Sequence, residues 1–394
     1  MRIAVVGYFN PQCISNVLNG EDIPAINKAA TAVNTLVAAF LKAGHYVKVF
    51  TSSPEKCDNM IFKGENVEVH IVSSYSKAKL ISLFSQVYMV KRLINLMEGH
   101  IDDVDVIHAH WTYAFALAAK YFDGKKKIVC TVRDWCPYIL GIQTSLKNKI
   151  SWIIRYIIFR KVMKGDGIRF IANSQYTYDR ILSEYPQKNI FIIPNPIEQS
   201  LIVPQKINPN VVHSFISISQ SIEDKHKNIP VLLKAFELYK KEYPNAVLTL
   251  VGQYNTKGEL YKYIMNSFSD SVILKGVLPR IEIINLLDES SCLVHTSLEE
   301  TFGNVLLEAM ARKVPCIGGE KSGAVPYVLG NGKCGILCDV TDYKAIFEAM
   351  KNANDSNYRN SIIDNATKMI KELYSSDIIA NKHISFYKKL LLES

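Results

Sequence analysis

The sequence has no run of about 20 apolar residues, the length that a helix needs to cross a bilayer. Its first residues, MRIAVVGYFNP, begin as a strand and lack the apolar core of about 7–15 residues that marks a secretory signal peptide. We therefore predict synthesis and residence in the cytoplasm.

Two further patterns are missing. The eight cysteines include no C-x2-C pair of the zinc-ribbon kind, and a chain of 394 residues needs no disulfide framework, so we predict free thiols. The glycine pattern G-x-G-x-x-G is absent after the first strand, where Gly7-Tyr8-Phe9-Asn10 stands instead. This absence disfavours an oxidoreductase that binds a dinucleotide.

Acidic residues are too few in one half of the chain to balance the basic ones. Residues 1–196 contain 24 Lys and Arg against 15 Asp and Glu, and the remainder contains 22 against 22, so the first half carries the whole net charge of +9. Phosphorylated substrates, nucleic acid and an anionic membrane are all electrostatically suitable partners for such a half.

What the sequence does have is an alternation of short apolar runs with amphipathic helical stretches. This alternation predicts an α/β fold with parallel sheets covered by helices on both faces. One predicted helix spans about Asn27–Ala43, with Gly44 as its stop signal. The predicted strands are Arg2–Gly7, Tyr46–Thr51, Val104–His108, Lys127–Val132, Arg169–Ala172, Ile190–Ile193, Phe215–Ser219, Ala246–Gly252, Ser271–Gly276, Cys292–Thr296, Val314–Gly318 and Gly335–Cys338.

Length and proline content predict two domains. The chain exceeds the size of about 250–300 residues at which single cores stop growing. The stretch IPNPIEQSLIVPQKINPN holds four prolines and no clear period, as expected for a connection between domains. We place the boundary near residue 200.

The segment SLEETFGNVLLEAMARKVP carries two glutamates, Glu300 and Glu308, separated by seven residues. With 20 glutamates in 394 residues, chance alone gives about one such pair, so the spacing by itself is uninformative. Its position is informative, because Glu300 follows a predicted strand and Glu308 lies within the helix that Gly303 opens. The N–H groups at a helix N-terminus favour an anion such as a diphosphate, and a glycine lets it approach.

This segment resembles the E-x7-E signature of the retaining glycosyltransferases of family 4, also called group 1. The resemblance implies the GT-B fold, in which two Rossmann-like domains face each other across a cleft. It implies an acceptor domain over 1–200, a nucleotide-sugar donor domain over 201–372, and a last helix, near Asp377–Leu392, that packs back on the first domain. Further matching stretches are Ala43–Val49, Asp105–His110, Asn173-Ser174, Ile193–Asn195 and Lys227–Phe236.

The resemblance also implies site residues. Lys227 matches a lysine that binds the donor phosphate, and Gly276 with Val277 matches residues that meet the nucleotide base. Glu300 would bind sugar hydroxyls and Glu308 ribose hydroxyls. The other implied donor-binding residues are Ser219, Gln220, Gly252, Phe302, Gly303, Asn304 and Val305.

The chain departs from the family pattern at several positions. Ile222 replaces the usual phosphate-binding arginine, with Lys225 and Arg280 as candidate substitutes, and Asn27-Lys28 aligns with the usual loop glycines. The remaining departures are Lys313 for a common glycine, Tyr327 for a glutamate, and Arg133 for a histidine that approaches the donor sugar.

Glu300 and Lys227 are also catalytic candidates, and three more, His110, Arg133 and Asp134, lie in the first half. His108 and His110 occupy alternate positions at a strand end, and we expect one to point inward as a core histidine and His110 to be functional. Arg133 and Asp134 follow a strand, at the rim where open α/β folds bind ligands. A structural pairing of these two side chains is the alternative.

The stretch from Lys147 to Lys164 mixes apolar and basic residues. Such a helix can lie on an anionic membrane, or it can be a domain helix whose apolar side faces the sheet. Both interpretations stay open at this stage.

The sequence as a whole predicts an enzyme that transfers a sugar, with retained anomeric configuration, from a UDP- or GDP-sugar to a carbohydrate or lipid-linked oligosaccharide acceptor. We expect no metal and no cofactor. The competing hypotheses are a nucleotide-sugar epimerase of the same fold and a basic nucleic-acid-binding protein. The latter is disfavoured because no aromatic stacking platform or known motif supports it.

Overall fold

The computed structural model describes residues 1–26, 30–55, 59–75, 85–204, 208 and 211–393. The chain divides into two compact units, which are Met1–Pro196 with Ser376–Ser394 (unit 1) and Ile197–Ser375 (unit 2). The division follows Pro196, close to the position expected from the proline-rich stretch. The helix at the end of the chain belongs to unit 1.

Eight strands form the sheet of unit 1. They are β1 (Arg2–Val6), β2 (Tyr46–Ser53), β3 (Met60–Lys63), β4 (Val67–Ser73), β5 (Val106–His110), β6 (Lys127–Val132), β7 (Ile168–Ala172) and β8 (Ile190–Ile192). Within the described residues their order is β3-β4-β2-β1-β5-β6-β7-β8. Neighbouring strands are parallel except β3 and β4, which form an antiparallel pair.

Six strands form the sheet of unit 2. They are β9 (Ser214–Ser221), β10 (Val247–Gln253), β11 (Val272–Gly276), β12 (Cys292–His295), β13 (Cys316–Gly319) and β14 (Ile336–Cys338). In the described part of the unit their order is β11-β10-β9-β12-β13-β14, and all neighbours are parallel. The carboxyl ends of all six strands therefore meet at one edge.

Helices connect the strands and cover the sheets. They are α1 (Thr31–Lys42), α2 (Ser85–Glu98), α3 (Ala114–Lys120), α4 (Cys136–Gly141), α5 (Leu146–Met163), α6 (Gln175–Glu184), α7 (Ile229–Glu242), α8 (Glu259–Phe268), α9 (Arg280–Asp288), α10 (Asn304–Ala311), α11 (Val325–Val328), α12 (Tyr343–Asn352), α13 (Ser356–Met369) and α14 (Ser376–Leu392).

The strands are buried on both faces, which explains why their sequences are nearly continuous apolar runs. In β1, Ala4 and Val6 pack into a cluster with side chains of α2, α3 and α5, while Ile3 and Val5 pack on the other face with α1 and α14. The sheet of unit 2 also has one apolar cluster on each face. Each unit is thus a parallel sheet between two helical layers, as the alternation in the sequence predicts.

Helix ends follow local chemistry. The Ser145 hydroxyl accepts a hydrogen bond from the Asn148 N–H at the start of α5, as N-cap serines do. Gly44, with φ +76°, ends α1 in the left-handed conformation that glycine adopts without strain. Lys313 has φ +59° just after α10, a conformation that lysine adopts at a cost and that would suit the glycine of the family pattern that this segment resembles.

Several boundaries differ from the predictions. The antiparallel pair β3–β4 was missed, and β5 lies two residues later than predicted, so that both histidines fall inside the strand. Residues 27–29, with the Asn27-Lys28 alignment and the predicted helix start, lie outside the described residues. The seven cysteines that the structure describes are free. None of the described helices has the length and apolarity that crossing a membrane requires.

Candidate active site

Three strand ends at the carboxyl edge of the unit 2 sheet approach each other closely. Gly252 has φ +144°, and a Cβ atom there would lie 2.6 Å from the carbonyl oxygen of Ser219, so the position admits only glycine. Gly276 ends β11 with φ +66°. Val277 follows it with 74% of its surface exposed. The edge therefore combines two glycines in conformations that favour glycine with an exposed apolar side chain.

A short turn fixes the backbone of Lys227. The Thr296 hydroxyl donates to the Lys227 carbonyl at 2.8 Å, and the Leu298 N–H donates to the carbonyl of His226 at 2.7 Å. Asn228 then adopts φ +58° and donates from its side chain to the Val340 carbonyl at 2.7 Å. The first two bonds attach the turn to the loop after β12, which contains Glu300, and the third attaches it to the segment after β14.

Glu300 and Lys227 form an ion pair at this edge. The Lys227 ammonium donates to Glu300 Oε1 at 2.6 Å, and the two side chains are 16% and 19% exposed. His295 Nε2 lies 3.2 Å from the same oxygen. Burial alone would raise the pKa of Glu300, but the Lys227 cation and the His295 ring reverse this effect and hold it well below its usual value. Glu300 is therefore ionised throughout the physiological range.

Helix α10 begins immediately after this loop. Gly303 is its N-cap residue, with φ +87°, and no side chain caps the helix. Phe302 is buried against Tyr374, which anchors the turn. The first N–H groups of a helix have no acceptor within the helix and carry partial positive charge. The residues predicted to receive a diphosphate, Gly303, Asn304 and Val305, occupy this N-terminus.

Glu308 lies on the second turn of α10 and is not open. Arg280 donates to Glu308 Oε1 through Nη2 at 3.1 Å and also bonds to Glu198 in the connecting segment. Burial raises the pKa of Glu308, and the Arg280 cation offsets part of this effect. Arg280 therefore pairs with two carboxylates. That Arg280 or Lys225 takes the role of the arginine missing at position 222 stays a prediction.

The catalytic candidates of unit 1 lie at the carboxyl edge of the other sheet. Arg133 donates to His110 Nδ1 at 3.0 Å and to the Asn195 side-chain oxygen. Because a guanidinium only donates, His110 Nδ1 accepts and the proton is on Nε2. Burial, and then the neighbouring His108 and Arg133, keep the pKa of His110 well below its ordinary value.

The Nε2–H group of His110 has no partner among the described residues. A Cβ atom on Gly7 would lie 3.1 Å from His110 Cβ and 3.4 Å from Cδ2, so glycine there leaves space beside the ring. Trp111 follows with φ +63°, a conformation that is costly for a large side chain and that concentrates at functional sites.

His108 is the core histidine of the pair. Its Nε2 lies 2.7 Å from the Thr131 hydroxyl and its Nδ1 lies 2.6 Å from the Tyr387 hydroxyl of α14. The expectation that His108 and His110 point in opposite directions is wrong. Residues two apart on a strand share a face, and the two rings lie 4.1 Å apart with both side chains buried.

Arg133 and Asp134 point to different partners, so the alternative of a mutual pairing is not realised. The Tyr113 hydroxyl donates to Asp134 Oδ1 at 2.7 Å. Burial raises the pKa of Asp134 to about 6, although the Tyr113 hydrogen bond and the Arg155 charge oppose the shift. Asp134 thus changes charge close to neutral pH.

The sequence reasoning missed several of these partners. His295 could have been found, because it ends β12 at the ligand-binding edge. Glu198 and Tyr113 gave no local signal, since each meets its partner across a long stretch of chain, and Asn195 lies in the matching stretch Ile193–Asn195 but was not predicted to bond to Arg133. One further group, Glu68, His70 and His100 of unit 1, has possible metal-ligating atoms within 4.8 Å of one another, and it involves none of the predicted site residues.

The two units, each a parallel sheet between helical layers, have the GT-B fold, which solved structures share. Sucrose-phosphate synthase from Thermosynechococcus elongatus matches with a TM-score of 0.77 at 15% identity and covers 100% of both chains. Models of "Glycosyltransferase Family 4" and "Glycosyl transferases group 1" match residues 29–201 and 207–369. The chain belongs to this family of glycosyltransferases.

The chain is also similar in sequence to two members of the family. N-acetyl-alpha-D-glucosaminyl L-malate synthase of Bacillus anthracis is 26% identical over 93% of this chain and 95% of its own length. The capsular polysaccharide biosynthesis glycosyltransferase CapM of Staphylococcus aureus is 32% identical over 43% of this chain and 45% of its own length.

Proposed function

We propose that the enzyme transfers a sugar from a UDP- or GDP-sugar to a carbohydrate or lipid-linked oligosaccharide acceptor, with retention of the anomeric configuration. The observation that carries this proposal is the Lys227–Glu300 ion pair at the edge where α10 begins. An ionised carboxylate that accepts from sugar hydroxyls then lies in one small region with a cation and helix N–H groups that suit a diphosphate.

Lys227 and the N-terminus of α10 stabilise the charge that develops on the departing diphosphate. This is electrostatic stabilisation by groups already in place, and it requires no enzymic nucleophile. An ammonium has three donors, so Lys227 can keep its bond to Glu300 and still reach a phosphate oxygen. In this proposal the donor needs no metal and no cofactor.

The other predicted donor residues surround the same edge. Ser219, Gln220 and Gly252 line it at β9 and β10, while Gly276 and Val277 meet the base. Glu308, oriented by Arg280, keeps its second oxygen for ribose hydroxyls.

Unit 1 supplies the acceptor side of the proposal. His110 offers an N–H donor beside Gly7, Arg133 fixes the tautomer of that ring, and Asp134 presents a carboxyl with a pKa near neutrality. These groups suit neutral hydroxyls of a glycan. The similarity to CapM supports an acceptor in cell-surface polysaccharide synthesis, and a lipid-linked acceptor would bring the enzyme to an anionic membrane. The predicted location, in the cytoplasm or on the cytoplasmic face of a membrane, stays a prediction.

The experiment is calorimetric titration of UDP-, GDP- and ADP-sugars, followed by turnover assays with the sugar that binds. We expect Glu300→Gln to lower turnover on the order of 100-fold or more, the loss typical for a positioned charge in an active site. The matched control is Glu282→Gln, an exposed glutamate of α9, which should leave turnover unchanged.

Failure to bind any nucleotide-sugar, or full activity of Glu300→Gln, contradicts the proposal. Conversion of the donor without an acceptor supports the epimerase alternative, and NMR of the new anomeric linkage decides retention. Salt-dependent affinity for DNA or RNA without nucleotide-sugar binding supports the nucleic-acid alternative.

A further inference from the structure

Helix α5 has two opposite apolar faces. Ile158, Phe159, Val162 and Met163 are buried in the core of unit 1. Four other residues, spaced by four, three and four positions, form a single stripe on the outer side. Their exposed fractions are 75%, 39%, 46% and 62% for Leu146, Ile150, Ile153 and Ile157.

The outer stripe is not ordinary surface apolarity. Single exposed aliphatic residues are common on proteins, but contiguous apolar patches mark interaction sites. These four side chains are exposed in the presence of the rest of the chain, so no described segment covers the stripe. The core needs only the inner face of α5, and the outer face therefore requires a separate explanation.

Basic residues flank the stripe on both sides. The segment 145–164 contains no Asp or Glu, and five of its six basic side chains are exposed. Arg155 is the exception, since it turns inward and stacks on Trp152. The exposed ones are Lys147, Lys149, Arg160, Lys161 and Lys164, and none of them forms an ion pair with another described residue.

This charge distribution decides between two occupants. In a symmetric dimer the same patch lies on both subunits, so a second copy of the chain would place five cations opposite five cations. An anionic bilayer accepts apolar side chains into its acyl layer and pairs lysine and arginine with its phosphates. Charge complementarity therefore favours the bilayer.

We propose that the outer face of α5 docks on an anionic lipid bilayer, with the helix axis lying in the membrane plane. The helix is about 27 Å long, and its apolar stripe runs along most of that length. Leu146, Ile150, Ile153 and Ile157 enter the interface, while the flanking cations remain at the headgroups. Docking requires neither donor nor acceptor, so it stands or fails separately from the transfer reaction.

The test is sedimentation of the full chain with vesicles of phosphatidylcholine, either alone or mixed with phosphatidylglycerol. We expect binding to the mixed vesicles, weakened by salt, and little binding to phosphatidylcholine alone. The triple substitution Ile150→Asn, Ile153→Asn and Ile157→Asn should lower the partition coefficient on the order of 100-fold. Lys149→Gln with Arg160→Gln and Lys161→Gln should lower it by a similar factor, about five-fold per charge.

Matched controls change the same residue types elsewhere. Exposed aliphatic residues of unit 2 serve for the first triple, with Val212, Ile273 and Leu373 changed to Asn. Exposed lysines of unit 2 serve for the second, with Lys257, Lys344 and Lys368 changed to Gln. Neither control should change partitioning, and circular dichroism checks that every variant is folded.

Two outcomes would overturn the proposal. One is equal vesicle binding by the wild type and the α5 variants, or equal binding to the two vesicle types. The other is self-association that the Ile→Asn triple abolishes, without vesicle binding, which would make the stripe an interface between copies of the chain. Donor titration without vesicles separates either result from failure of the proposed transfer activity.

Discussion

The best-defined carboxyl group at each sheet edge is held in a different charge state. In unit 2, Lys227 and His295 keep Glu300 ionised, whereas burial raises the pKa of Glu308 in spite of its Arg280 partner. In unit 1, burial shifts the pKa of His110 downward and that of Asp134 upward, so both groups are pushed toward their neutral forms. Under the proposed function, we therefore expect the unit 2 edge to bind a charged donor and the unit 1 edge to bind neutral hydroxyls.

The largest expected difference between the two edges concerns Arg133. Its replacement by methionine removes the donor that fixes the His110 tautomer, and we expect turnover to fall about 100-fold, the loss that misplacing a catalytic group by about 1 Å can cause. The donor dissociation constant should stay unchanged, because we assign donor binding to unit 2. Turnover assays and calorimetry measure the two quantities.

Arg180→Met, on the exposed surface of α6, is the control for this experiment. If Arg133→Met weakened donor binding and left turnover intact, the assignment of separate roles to the two edges would be wrong.

The second prediction concerns the contribution of the Arg280–Glu308 ion pair to the stability of unit 2. Arg280→Met leaves Glu308, which is 12% exposed, without its cation, and we expect a loss of about 2 kcal/mol in the free energy of unfolding. Adding Glu308→Gln should restore part of this loss, because a neutral amide is less costly to bury than a carboxylate. Urea unfolding followed by circular dichroism measures both variants, and additive losses would contradict the pairing.

The smallest effect is a pH dependence in unit 1. Asp134 has a pKa of about 6 in the folded chain, above its ordinary value of 3.8, so the folded state holds an extra proton between these values. Stability therefore falls as pH rises through 6, and Asp134→Asn removes this dependence. We expect the variant to gain about 1 kcal/mol relative to wild type at about pH 7.5 compared with about pH 5.

Tryptophan fluorescence can follow this transition, since all three tryptophans, Trp111, Trp135 and Trp152, lie in unit 1. A stability difference independent of pH would show that Asp134 is ionised at both values.

The alternation of strands and helices could be predicted from the sequence, because a strand that is buried on both faces consists of a run of apolar residues, as β6 does. It was not sufficient for β3 and β4, whose pairing is antiparallel and lies at the sheet margin, where exposed residues such as Lys63 interrupt the apolar pattern.

The candidate site shows the same limit. Glu300 and Lys227 were identified from their motifs, but their contact could not be predicted, because it joins residues that are 73 positions apart.

The two faces of helix α5 could not be separated from the sequence either. Apolar residues lie on opposite sides of this helix, so its sequence has no single amphipathic face. Only the buried and exposed fractions separate the core side from the outer stripe.

The Tyr387 hydroxyl contacts His108 from a helix that follows unit 2 in the chain. A ribosome therefore releases every residue of unit 2 before it releases the side chain that completes the interior of unit 1. Until then the surface of unit 1 that α14 covers, which includes Phe40 of α1, remains exposed to solvent. Unit 1 is thus the first of the two units to begin synthesis and the last whose interior can be completed.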